Sequence, residues 1–163
     1  MRNIAALLGI AFMTVAAPAF AAEDLAKQVV GSWKLKSYTL RVVGEDVSEP
    51  FGPGAKGSLV LTAGGRWIIL VSGGDRKPAT NNDERAALLN TLLAYTGRYV
   101  IEGDKATTQV DASWNEIYTG ALREQVRFLK LDGDTLVVRT PEIASAVRPG
   151  KRVVGTLTWE RER

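Results

Sequence analysis

The stretch Gly31-Ser-Trp-Lys-Leu35, set beside Leu157-Thr-Trp-Glu-Arg161 near the other end of the chain, decides the fold. Trp33 opens a run to Val43 that is rich in β-forming residues, and Trp159 lies in the last alternating run, Val153–Glu162. A small protein with a tryptophan at the start of its first strand and another in its last is expected to pair those strands. Pairing first with last closes the sheet on itself and leaves no open edge.

Working inward from both ends, period-two alternation dominates. Gly44-Glu45-Asp46 reads as a turn, a short extended piece surrounds Val47, and Pro50-Phe51-Gly52-Pro53-Gly54 is a loop that its prolines and glycines hold away from any ladder. Gly57–Thr62, Ala63–Gly65 and Arg66–Ser72 form a hairpin. After the polar connection Gly73–Asn82, Asn81 or Asn82 can cap one helix. Asp83 and Glu84 favour its positive end, and Leu88, Leu89, Leu92 and Leu93 fall on one face, with Tyr95 close by. Gly97 is expected to stop this helix, whose leucine face would cover an open end of the sheet. Alternation then returns in Arg98–Glu102, Ala106–Trp114, Leu122–Leu131, Thr135–Thr140 and Val153–Glu162. The chain therefore reads as all-β: an antiparallel up-and-down barrel of about eight strands, in one domain, with one inserted α-helix.

The first residues read as a targeting signal. Arg2 precedes an apolar run from Ile4 to Ala17, and Ala19-Phe20-Ala21 supplies small residues at −3 and −1 of a cleavage site after Ala21. Residues 1–21 are thus expected to be removed, leaving 22–163 in the periplasm or outside the cell. No later stretch is long and apolar enough for a transmembrane helix. With no cysteine, a lipidated N-terminal cysteine is chemically impossible, so no membrane anchor is expected.

Histidine is absent too. Zinc, copper and haem sites built on His or Cys are therefore excluded, as are Ser-His-Asp and Cys-His catalytic arrangements. No metal or cofactor is expected, and catalysis would have to use carboxylate, Lys, Tyr or Arg chemistry. The formal net charge is only +3, and Arg148, Lys151 and Arg152 read as a solvated loop rather than a nucleic-acid patch.

Several segments together resemble the lipocalin-like domain family, a bacterial and fungal branch of the calycin barrels. They are Gly31–Tyr38, Pro50–Trp67, Leu93–Lys105, Gln125–Pro141 and Leu157–Arg161. The resemblance implies that Gly31 lets the chain enter the barrel floor, that Trp33 packs across it, and that Arg161 lies over Trp33 as a cation–π contact joining first and last strands. Members often carry a histidine in the strand that here reads Thr-Thr-Gln-Val-Asp-Ala-Ser, and this chain has Gln109 instead.

Alternation puts Gln109, Asp111 and Ser113 on one face of their strand, and Arg123, Gln125 and Arg127 on one face of the next. If both faces point inward, Asp111 pairs with Arg127 or Arg123 beside Gln109 and Gln125, and a bound carboxylate or enol meets a fork of donors. If they point outward, the same residues make ordinary cross-strand pairs. Trp67, Tyr95, Tyr99, Trp114 and Tyr118 are aromatic candidates for a cavity or its mouth. Leu35, Leu59, Leu61, Ile68 and Leu70 are expected as inward aliphatics, Asn115–Gly120 as a gating loop, and Glu116 and Glu124 as solvated. The leading expectation is an exported barrel that binds a small, mainly apolar or amphipathic molecule without covalent chemistry. The alternatives are an isomerase or cyclase using Asp111 or Tyr95 with Arg127, or a filled barrel acting on other proteins through loops Pro50–Gly54 and Pro141–Arg152.

Overall fold

The computed structural model describes residues 25–144 and 150–163. The expected leader, and Arg148 of the basic loop, lie outside these residues. A helical turn at 25–28 leads into β1 (Gly31–Val42), followed by β2 (Val47–Ser48), β3 (Lys56–Leu61) and β4 (Arg66–Ser72). Then come α1 (Asn82–Asn90), β5 (Leu92–Glu102), β6 (Lys105–Ser113), a 3-10 turn at Glu116–Tyr118, β7 (Glu124–Asp132), β8 (Thr135–Arg139), β9 (Ile143–Ala144) and β10 (Arg152–Arg161). All strand pairings are antiparallel, in the order β2-β1-β3-β4-β5-β6-β7-β8-β10-β9, and β1 also pairs with β10. That last pairing closes an eight-stranded barrel, with the two-residue strands β2 and β9 as flaps on its rim.

The two ends of the barrel differ. The chain enters at one end, where β3–β4, β5–β6 and β7–β8 are joined by tight turns with glycine at positive φ, at Gly65, Gly103 and Gly133. The longer connections β1–β3, β4–β5, β6–β7 and β8–β10 all gather at the opposite end. The entry end is sealed. Val29 and Trp33 are fully buried, the Trp33 indole N–H donates to the Val29 carbonyl at 3.0 Å, and the Arg161 guanidinium lies 4.1 Å from the Trp33 ring centroid. Arg161 also donates to the carbonyls of Val30 (3.1 Å) and Gln28 (2.7 Å), so one side chain ties the last strand to the entering chain. Gly31 has φ 145°, and a Cβ there would stand 2.9 Å from the Arg161 Nη1, which explains why glycine opens the barrel.

Two bulges set which residues face inward. In β1 the ladder skips between Leu35 and Ser37, so Trp33 and Leu35 face in below the bulge and Tyr38 above it. In β6 the ladder skips at Asp111, between the Gly97–Val110 and Thr96–Ala112 pairs. Trp33, Trp67 and Trp159 are fully buried, and each removes about 150–250 Å² from water, contributing roughly 4–6 kcal/mol of transfer free energy.

The helix differs from expectation. It ends at Asn90 with Thr91 as its cap, and it buries none of its residues. Leu92 and Leu93 already belong to β5, because residues 92–98 are the ladder partners of the whole of β4. Gly97 accordingly lies inside a strand rather than at a helix end. Its place is dictated by packing, since a Cβ there would collide with the backbone of Gln109. In β4 it is Trp67, Ile69 and Val71 that face the interior, while Ile68 and Leu70 are exposed, the reverse of the expected aliphatic lining. Leu35, Leu59 and Leu61 do face inward.

Candidate functional site

The open half of the barrel holds an aromatic and polar cluster. From β1, Tyr38 projects inward above the bulge; from β5 comes Tyr95; from β7, Gln125 and Arg127. Loops cover these from above. Phe51 of the β1–β3 connection meets Tyr38 edge-on at 5.0 Å between ring centroids, and Tyr118 of the 3-10 turn stacks on Tyr95 at 5.9 Å. The expected gating loop thus places Tyr118 directly on an interior tyrosine. Its turn is held by Asn115, whose side chain accepts from the Ile117 N–H at 3.0 Å.

Arg127 is half-buried and aimed by its neighbours. It donates to the Gln125 Oε1 at 2.7 Å and to the Val126 carbonyl at 2.7 Å. The Gln125 amide donates to the Leu122 carbonyl at 2.6 Å, which orients its oxygen toward the guanidinium. Among the described residues no carboxylate pairs with Arg127, and every described Asp and Glu lies on the exposed surface.

Tyr95, almost wholly buried, has its hydroxyl pushed above the usual tyrosine range, chiefly by burial. Arg127 opposes this, Tyr118 adds to it, and the Trp67 indole beside the hydroxyl acts in the same direction as Arg127. Although Arg127 and Trp67 both act on that oxygen, neither forms a well-directed hydrogen bond with it, and the Tyr95 hydroxyl and Trp67 indole N–H stay unpaired. Tyr38 is likewise raised by burial and by Tyr118, and lowered by Arg127. The Thr108 hydroxyl and the Trp114 and Trp159 indole N–H groups are buried and unpaired as well. Tyr99 differs: its hydroxyl donates to the Thr62 carbonyl at 3.0 Å and so belongs to the sealed end.

The structure separates the residues that alternation had grouped. Gln109 and Asp111 are exposed on the outer surface. The Gln109 amide donates to Glu124 at 2.9 Å, and Asp111 pairs with Arg66 and accepts from Thr96 at 3.2 Å. The Arg66 guanidinium holds the Asp111 carboxyl below the usual range. Asp111 therefore meets neither Arg127 nor Arg123, which is itself exposed just before the start of β7. Ser113 lies past the bulge and pairs with the inward Tyr95, so it no longer shares a face with Gln109 and Asp111. Gln125 and Arg127 do face inward, beside Thr108 and Ala106 respectively. Tyr38, Thr108 and Trp159 face the interior and Phe51 covers it, although none of them is among the site residues expected from the sequence. Tyr38 had a signal: Tyr38, Leu40 and Val42 are apolar in the opposite phase to Trp33 and Leu35.

At the rim, α1 and the preceding loop enclose a groove of about 590 Å³ whose lining includes Phe51, Pro78, Ala79, Ala87, Leu88 and Thr91. Phe51 belongs both to this groove and to the packing around Tyr38.

A model of the lipocalin-like domain matches residues 30–162, which is nearly the whole described chain. The chain belongs to the lipocalin-like domain family. No curated protein matches it. For a lipocalin-like barrel the parts divide cleanly: Gly31, Trp33 and Arg161 fasten the closed end, whereas Tyr38, Phe51, Tyr95, Tyr118 and Arg127 occupy the open one.

Proposed function

We propose that this lipocalin-like protein is exported and binds a small, mainly apolar molecule in the open half of its barrel, without covalent chemistry. The observation that carries this reading is the difference between the two ends. One end is sealed by a tryptophan, a guanidinium and hydrogen bonds into the backbone, while the other is covered by Phe51 and Tyr118, side chains carried on loops. An eight-stranded barrel is wide enough to hold one small ligand, and side chains on loops can move aside at far lower cost than strands can separate. The aromatic walls supply apolar area, and the rim groove against Phe51 offers an approach from solvent. With Asp111 outside and paired to Arg66, the interior has no carboxylate base among the described residues, and Tyr95 is held protonated by burial. That arrangement favours binding over proton transfer.

Native mass spectrometry of protein recovered from the periplasm should show a bound small molecule. Titration of the stripped protein with the neutral fluorophore N-phenyl-1-naphthylamine should give saturable one-to-one uptake, slowed or enhanced by changes at Phe51. A folded protein that neither carries a molecule nor takes up the probe refutes the reading. Export is tested by the N-terminal sequence of the mature protein, expected to begin at Ala22.

A further inference from the structure

The unpaired polar groups of the interior share one character. The Trp67, Trp114 and Trp159 indoles can only donate, and Arg127 has two of its five N–H groups committed inside the protein, to Gln125 and Val126. The Tyr95 and Thr108 hydroxyls, both at least nine-tenths buried, also have a proton to give. Against this excess of donors stands no interior acid among the described residues: each described Asp and Glu is exposed, and the two acceptors that meet Arg127, the Gln125 Oε1 and the Val126 carbonyl, are neutral and already used.

A buried donor without an acceptor costs about 1–3 kcal/mol, and native proteins tolerate few of them. Two of these orphans, the Tyr95 hydroxyl and the Trp67 indole N–H, lie together near a guanidinium that no described carboxylate neutralises. Tyr95 and Trp67 face one another, and Arg127 acts on the Tyr95 oxygen from across the interior. A positive charge and neutral donors converging on one point, within apolar walls, make a receptor for a compact oxyanion.

The geometry points to a head-group subsite formed by Arg127, Tyr95 and Trp67 that selects apolar molecules ending in a carboxylate. The carboxylate would accept from the free Arg127 N–H groups on one oxygen and from the Tyr95 hydroxyl and Trp67 indole on the other. Its tail would lie among Tyr38, Phe51 and Tyr118 toward the open end. The proposal rests on interior binding as argued above and adds the chemical class of the ligand. Basic amphiphiles are disfavoured, because an ammonium would meet Arg127 without any acid to offset it.

Two matched pairs of probes test this: decanoate against decanol, and 2-naphthoate against 2-naphthalenemethanol, each titrated calorimetrically at neutral pH. In the unmodified protein the acid of at least one pair should bind about tenfold or more tightly than its alcohol, as a charge-assisted contact requires. In Arg127→Met that ratio should collapse toward one, and in Tyr95→Phe, which keeps the ring and its stacking on Tyr118, it should fall by about threefold or more. Circular dichroism shows whether each variant is folded, and Tyr95→Phe carries the test should Arg127→Met fail to fold. Equal binding of acid and alcohol overturns the head-group subsite while interior binding stands. A preference for acid that survives in both variants overturns the assignment to these residues. Uptake of no probe by the folded protein overturns both readings.

Discussion

Replacing Arg161 with methionine should loosen the barrel without altering what it holds. The side chain makes two charge-assisted hydrogen bonds to the carbonyls of Gln28 and Val30 and covers the Trp33 ring at 4.1 Å. Its 3.6 Å approach to Asp134 adds little, because that carboxylate is half exposed. Each hydrogen bond contributes about 1 kcal/mol at a site a quarter open to water, and the cation–π contact about 1 kcal/mol. Methionine preserves much of the aliphatic cover, so the net loss should be about 2–3 kcal/mol, or ~6–12 °C in Tm for a domain of this size. Urea melts followed by tryptophan fluorescence give the first quantity and scanning calorimetry the second. Arg161→Lys should recover only part of the loss, because an ammonium does not span both carbonyls and the ring as a planar fork does. The indole N–H of Trp33, bonded to Val29, should exchange faster in both variants as the entering turn loosens. The reasoning is refuted if Arg161→Met melts within about 0.5 kcal/mol of the unmodified protein, the scatter expected of an ordinary surface change. Probe binding at the open end should be unchanged within twofold.

Gly97→Ala should cost at least about 3 kcal/mol or prevent folding, since the new Cβ meets the Gln109 backbone and neither paired strand can retreat; a soluble variant with an unchanged urea midpoint would contradict this. Asn81→Ala removes the acceptor of the Glu84 N–H and should weaken α1 locally by about 1 kcal/mol. Because α1 buries nothing, hydrogen exchange should quicken at 82–90 while the global melt barely moves. Burial raises the Tyr95 hydroxyl above the unfolded value of 10.0, so the stability that it supplies is complete below pH 10 and is lost as pH rises through the folded value. Alkaline unfolding should therefore steepen above pH 10, and Tyr95→Phe should flatten that limb; an unchanged limb means that burial does not hold the proton.

The closed barrel was legible in the sequence because several independent features agreed: alternation along the strands, tight turns containing glycine, and a tryptophan in the first and last strands. The pairing of Trp33 with Arg161 in the β1–β10 ladder realises that expectation, and the cation–π contact follows from it. Faces were legible wherever large apolar residues alternate with polar ones, as in Trp33-Lys-Leu-Lys36. They were not legible in Trp67-Ile-Ile-Leu-Val71, where an unbroken apolar run carries no phase. The choice falls to the strand that buries the indole against the Leu61 and Gly97 neighbours. The helix was overextended for a related reason: Leu92 and Leu93 fit a helical stripe as well as they fit a strand, and only the β4 ladder decides between them.

The candidate site was obscured by the phase of one strand, β6, and by a bulge within it. Strict alternation places Gln109, Asp111 and Ser113 on one face, but the bulge at Asp111 shifts the phase of everything after it. Before the bulge, Thr108 and Val110 face in and Gln109 faces out; after it, Ser113 faces in. A bulge is a backbone event with weak residue preferences, so period-two reasoning crosses it unaware. The phase of this strand has a chemical consequence. Asp111 shares the outward phase of Gln109 and pairs with Arg66, so among the described residues the interior holds no acid, and Arg127 on the neighbouring strand has no carboxylate partner. Had the Gln109–Asp111 face pointed inward, an Asp111–Arg127 ion pair would have satisfied the cluster from within. Because Thr108 and Val110 take the inward phase instead, the positive charge and the unpaired donors of Tyr95 and Trp67 are left to whatever anion enters from the open end.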